Sequence, residues 1–163
     1  MNDSYNIPNQ TNIGHVHLKV SNLERSLKFY RDLLGFKVTQ FYGDSAVFLS
    51  AGGYHHHIGL NTWQSKDASN PPQYSTGLFH VAILYPTRKD LAVIVKRLTD
   101  HNYNIDGASD HGVSEAIYLQ DPDQNGIELY WDKPYDLWPI DDQGNLQMIS
   151  APLRLDLLLN ELT

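Results

Sequence analysis

The stretch GGYHHHIGL, residues 52–60, sets three consecutive imidazoles just ahead of an apolar run. Imidazole titrates near neutrality and also binds divalent metals, so the three histidines can be a metal site, an acid/base group with neighbours, or the polar start of a strand. Three residues elsewhere bear on the choice. His15 and His80 each begin a His-Val dipeptide at the head of a short apolar run, in GHVHLKV and FHVAIL. Glu128 stands in NGIELYW, flanked by Ile127 and Leu129. A carboxylate on such a strand needs a cationic partner, because unpaired burial costs several kcal/mol or forces a proton onto it. The strand carries no Arg or Lys.

A single strand histidine is more often a hydrogen-bonded structural residue than a ligand. Two at equivalent places, joined by one carboxylate, make a different set: His15, His80 and Glu128 can hold a divalent ion on one face and leave its other positions open. Cysteine is absent, which removes thiolate sites, disulfides and cysteine nucleophiles together. Closed four-ligand sites favour structural zinc, and oxygen-rich sites favour magnesium or calcium. Two nitrogens and one carboxylate with open positions suit Fe(II), with Mn(II) next.

The elements that must position these residues repeat. Residues 14–38 and 79–105 share a grammar of strand, turn and helix, each beginning at the His-Val pair. Leu23, Leu27, Tyr30 and Leu34 recur at helical spacing in the first copy, with Gly35 as a stop; Leu91, Ile94, Val95 and Leu98 do so in the second. Three strand-like runs come after each helix, at 36–42, 45–51 and 54–62, then at 103–109, 113–120 and 126–132. The expected fold is therefore α+β: two paired βαβββ modules, at 13–62 and 77–133, curling eight strands into a cup around the metal site. Residues 1–12 read as a flexible arm, and 134–163 as a tail whose Leu155, Leu158, Leu159 and Leu162 mark one face of a short helix. That face is expected to dock on the body or on a second subunit.

Composition narrows the function classes. The chain has 163 residues, 12 Lys and Arg against 19 Asp and Glu, and a formal charge of −7, which disfavours nucleic acid and anionic membranes. It has no apolar run that spans a bilayer and no cleavage signal, so a cytoplasmic protein is expected.

HVHLKVSNLERSLKFYRDLLGF and DPDQNGIELY, set in the paired βαβββ plan, resemble the vicinal oxygen chelate superfamily over residues 13–133. That superfamily includes glyoxalase I, fosfomycin- and bleomycin-resistance proteins and extradiol ring-cleaving dioxygenases. HHHIGL, GLFHVAIL and DHGVSEAIYLQDPDQNGIELY are most similar to the catechol-cleaving dioxygenases. The resemblance implies an acid/base role for His56, which precedes Gly59 and Leu60, and carries over His111 ahead of Gly-Val-Ser and Tyr118 ten residues before Glu128. Strand alternation, by contrast, would turn His57 and not His56 toward the cavity, so His57 stands as a candidate substrate-binding residue.

The implied reaction is metal-dependent cleavage of a catechol-type diol by O2, with His56 taking the hydroxyl proton and His111 and Tyr118 hydrogen-bonding to the bound oxygen and the opening ring. Two alternatives remain: a glyoxalase- or fosfomycin-resistance-like lyase or transferase on the same metal set, and a drug-binding protein without catalysis. The position where glyoxalase-like enzymes carry a further metal-binding glutamate is Gly59 here, which argues against the first. Many extradiol enzymes carry two such paired modules, so a homodimer is expected to supply the other half.

Overall fold

In a computed structural model, which describes residues 4–72 and 74–163, both βαβββ modules form. The first runs β1 (Val16–Lys19), α1 (Leu23–Leu27), β2 (Lys37–Tyr42), β3 (Ala46–Ser50) and β4 (Ile58–Asn61); the second runs β5 (Val81–Leu84), α2 (Arg88–Asp100), β6 (Gly107–Asp110), β7 (Ser114–Gln120) and β8 (Gly126–Asp132). A short β9 (Ala151–Pro152) and α3 (Leu155–Leu159) complete the chain. Residues 4–12 of the expected arm form neither helix nor strand, and residues 1–3 lie outside the described residues.

The strands make two mixed sheets, ordered β1-β4-β3-β2 and β5-β8-β7-β6-β9. The expected α+β class with two βαβββ modules is thus present, its eight strands divided between two sheets of which the second gains β9. The modules meet through their helices, which leaves β1 and β5 as free edges of separate sheets. From the turn just after α1, the fully buried Tyr30 donates its hydroxyl to Asp121 Oδ2 at 2.9 Å, and from α1 Arg25 pairs with Asp123 in the β7–β8 turn. From α2, Arg97 donates to the carbonyls of Leu33 at 2.8 Å and Asp32 at 2.6 Å. One hydrophobic cluster, drawing Leu18, Leu27, Leu49 and Leu60 from one module and Leu91, Leu98, Ile117 and Leu129 from the other, lies between the two.

Local chemistry sets the helices. Asn22 caps α1 by accepting from the Arg25 N–H, and Thr87 caps α2 by accepting from the Asp90 N–H. After Leu27 the first helix widens to a π-helical segment, Lys28–Leu33, with Leu34 N–H bonding to Phe29 O. The wider turn shifts the buried face. Phe29, Tyr30 and Leu33 are buried while Leu34 is only half-buried, so the regular spacing expected from the sequence fails here. In α2 the expected Leu91, Ile94, Val95 and Leu98 are all buried.

The tail helix docks on its own chain. Leu158 is fully buried, Leu155, Leu159 and Leu162 pack on the core beside α2, and Arg88 of α2 pairs with both Glu115 and Glu161. The leucine face is thereby occupied and is removed as a contact between subunits. No helix among the described residues is long and apolar enough to cross a membrane.

Candidate functional site

The second module builds a continuous polar chain. Ile127 and Leu129 are fully buried, so alternation along β8 turns Glu128 to the opposite, open face of the sheet. Register sets Tyr118 of β7 directly across from it on one side and Ala82 of β5 on the other. His80, just before β5, brings Nε2 to 2.9 Å from Glu128 Oε2. Gly126 makes that approach possible, since a Cβ there would stand 2.0 Å from the Phe79 carbonyl oxygen. Tyr118 Oη lies 3.2 Å from Glu128 Oε1 and 2.6 Å from His111 Nε2, and His111 Nδ1 lies 3.0 Å from the Ile149 carbonyl.

Proton counting constrains this chain. A carbonyl only accepts, so His111 Nδ1 carries a proton and a neutral His111 turns a bare Nε2 toward Tyr118. The single hydroxyl proton of Tyr118 then serves His111 or Glu128, and both contacts are satisfied together only when one more proton is held on His111 or Glu128. Burial, and after it the Glu128 carboxylate, pushes the Tyr118 hydroxyl up to about 12. Tyr118 therefore stays a donor at neutral pH.

The first module presents rings without such a chain. β4 starts only at Ile58, because Gly52, at φ +71°, and Gly53 turn the chain ahead of it. His55, His56 and His57 thus precede the strand, and the alternation that favoured His57 does not apply. Thr39, at a bulge in β2, holds this turn by donating its hydroxyl to the His55 carbonyl at 2.9 Å. His56 packs on His15 and Phe48, with ring centroids 4.4 and 4.9 Å apart, and shares a proton with His55 across a 2.7 Å Nδ1···Nδ1 contact. Burial, then the neighbouring histidines led by His15, hold the His56 imidazole below its ordinary pKa. His57 turns elsewhere: its Nδ1 accepts from the Ala51 N–H at 3.3 Å and meets the Ser50 hydroxyl at 3.0 Å. That ring is occupied by the backbone turn.

His17 was missed by sequence reasoning. Its ring lies over Gly59, 2.9–3.1 Å from where a Cβ would be, and faces Trp63 and Phe48 on the same open surface as His15. The His-Val-His spacing was the available signal, since strand alternation puts both rings on one face. The Ile149 carbonyl that holds His111 comes from the tail and has no side-chain signature.

Two expected ligands, His80 and Glu128, are together, and His15 stands with His56 instead. Among the described residues no three His, Asp or Glu side chains gather to hold one ion. The pair present fits a metal in its chemistry and spacing: two donors about 2.1 Å from one ion at right angles lie about 3 Å apart. His80 Nδ1 is buried and has no hydrogen-bond partner among the described residues, so that ring spends its polar capacity at Nε2. A cleft of about 600 Å³ lies at the start of α1, lined by Ser21, Asn22, Arg25, Lys28 and Asp67, with no candidate residue in it.

Comparison with known proteins places the chain by its sequence and fold. The chain is 42% identical over 156 residues to "Catechol-2,3-dioxygenase" of Bacillus subtilis, covering 95% of this chain and 53% of that protein. It thus spans about half the length of that relative. It is 27% identical over 126 residues to "Lactoylglutathione lyase" of Neisseria meningitidis, covering 75% of this chain and 91% of the other. A glyoxalase/dioxygenase structure from Nostoc punctiforme superposes with a TM-score of 0.64 at 18% identity, over 81% of this chain and 99% of that one. Residues 12–129 match the family model, and with it the chain belongs to the Glyoxalase/Bleomycin resistance protein/Dioxygenase superfamily.

Proposed function

We propose that the chain is a metal-dependent extradiol dioxygenase that opens a catechol-type ring with O2, using Fe(II), or Mn(II), held by the His80–Glu128 pair, with His15 the expected third ligand. The observation that carries the reading is the hydrogen-bonded run His80–Glu128–Tyr118–His111 on one open sheet face. The similarity to the Bacillus subtilis enzyme supports it. When bound, the ion lowers the hydroxyl pKa of a vicinal diol and holds diol and O2 side by side.

The protein's own groups handle protons and position. His56 acts as the base: in the tautomer whose Nδ1–H donates to His55 Nδ1, Nε2 is bare and receives the hydroxyl proton, and its lowered pKa keeps it neutral at pH 7. Tyr118 donates from Oη, toward substrate oxygen or toward His111 Nε2. His111 is held for that exchange by the Ile149 carbonyl at Nδ1. His57, bound to Ser50 and Ala51, orients the turn that carries His56, and this is the role proposed for it in place of direct substrate contact.

A lyase reading draws on the Neisseria relative. Against it, the His17 ring covers Gly59, where a fourth carboxylate ligand would stand. The test is anaerobic loading with Fe(II), then catechol and O2, monitored by absorbance of the yellow ring-opened product. Product from the wild type, lost in His56→Ala, is the expected result. Absence of product across a panel of catechols, with turnover of a methylglyoxal–thiol adduct instead, replaces this reading with the lyase.

A further inference from the structure

We infer that His55 is a positioning residue for His56: by accepting the His56 Nδ1–H at its own Nδ1, it fixes the tautomer in which His56 Nε2 is bare. The hydrogen bond stands on the geometry of the turn alone, and its consequence for the reaction rests on the dioxygenase reading above.

The two Nδ1 atoms lie 2.7 Å apart. Two bare nitrogens at that distance would repel and two N–H groups would clash, so a single proton lies between them and one ring donates. Surroundings set the direction. His55 is exposed, so water satisfies its Nε2–H and its Nδ1 is free to accept. His56 is half-buried, packed on His15 and Phe48, and its Nε2 meets no hydrogen-bond partner among the described residues. An enclosed N–H without an acceptor is rarer in folded proteins than an under-used acceptor. His56 therefore keeps its proton on the Nδ1 side, since the bond made by one ring nitrogen decides which of the two is protonated.

The turn holds His55 for this contact. Thr39 donates its hydroxyl to the His55 carbonyl at 2.9 Å, which fixes the backbone. Tyr54 lies on the imidazole, with ring centroids 4.1 Å apart and planes inclined by 33°. Tyr54 in turn reaches the head of β1, where a Cβ on Gly14 would stand 3.1 Å from its hydroxyl. These contacts leave Nδ1 of His55 to His56. His57 spends its own Nδ1 on Ala51 and Ser50, so of the three consecutive imidazoles His55 is the one placed to direct His56. Without that acceptor the His56 proton divides between its two nitrogens, and fewer rings are ready to take a proton from a diol.

The test separates an acceptor from a packing partner. His55→Asn keeps an oxygen acceptor near the place of Nδ1 and loses the ring; His55→Phe keeps a ring on Tyr54 and loses the acceptor. The full chains are labelled at both histidine ring nitrogens and read by NMR, free of paramagnetic metal, at about pH 8, where an ordinary imidazole is neutral. Wild type and His55→Asn should show His56 protonated at Nδ1, and His55→Phe should move that proton toward Nε2. After Fe(II) loading, kcat for catechol opening should fall about 10-fold in His55→Phe, less than the roughly 100-fold cost of losing the base itself, with KM unchanged and the rate recovered in His55→Asn. A wild-type His56 that carries its proton on Nε2 overturns the inference whether or not the variants fold, and so does a tautomer that His55→Phe leaves unchanged. The reverse order of rates, with His55→Asn slow and His55→Phe fast, also overturns it and makes His55 a packing residue. The expected tautomers in a wild type that opens no catechol bear out the hydrogen bond and overturn the dioxygenase reading instead.

Discussion

The two modules repeat one topology but position their histidines by different physics. In the second, His80, Glu128, Tyr118, His111 and the Ile149 carbonyl form an unbroken line of polar contacts on paired strands. In the first, His15, His17, His55 and His56 rest on one another and on Phe48 and Trp63, ahead of a strand that starts late. Hydrogen bonds fix direction, whereas ring packing fixes only proximity. The polar side chains of the second module are therefore fixed in direction by hydrogen bonds, and the rings of the first are held mainly by packing. Metal and substrate should order the first module more than the second.

The largest test of this contrast is Glu128→Gln. It keeps shape and the Tyr118 contact but removes the charge that pairs with the ion. Metal affinity measured by calorimetry should fall more than about 100-fold and ring opening should cease. Next comes the pair His56→Gln and His57→Gln. Loss of a general base costs about 100-fold or more in kcat at unchanged metal affinity, and that is expected for His56. His57→Gln should instead lower stability by about 1 kcal/mol, the worth of its bond to Ser50, in a denaturant titration. Equal kcat losses for both would erase the distinction between the base and the residue that holds its turn.

What could be read from the sequence divides along the same line. Periodicity marks which residues face the core, so the βαβββ order, the buried face of α2 and the Ile127–Leu129 flank of Glu128 were legible. Periodicity does not record which modules meet through which faces. The separation of the sheets depends on long-range contacts such as Tyr30 with Asp121, 91 residues apart, and no local pattern announces them. The late start of β4 comes from two glycines that could equally sit in a strand bulge. The π-helical segment at Lys28–Leu33 likewise has no Pro or Gly to give it away.

A smaller test compares one glycine from each module. Gly126→Ala forces a Cβ against the Phe79 backbone at 2.0 Å, where nothing flexible can yield. It should cost about 3 kcal/mol and displace His80. Gly59→Ala meets only the His17 ring at 2.9–3.1 Å, which can rotate away, so about 1 kcal/mol is expected in thermal unfolding. If the two substitutions cost the same, the first module is as rigid as the second.

The smallest effect concerns the ion pair beside His111. Burial works against the Asp110 carboxylate, yet the Lys133 ammonium at 2.7 Å and the Gly112 N–H together hold it below its ordinary pKa. A carboxyl depressed in the folded state adds stability that is fully present above its unfolded value, about 3.9, and is lost as pH falls through the folded value. Lys133→Met should therefore be less stable than wild type by about 1 kcal/mol at pH 7, and the gap should close in the acid range below about pH 4. Among the described residues no ion pair reaches 51–57, so the turn that carries His55, His56 and His57 has no such acid-sensitive support. A gap that stays constant from pH 7 to pH 3 would mean that Lys133 acts through the packing of its alkyl stem, and that the charge beside His111 does not help to fix it.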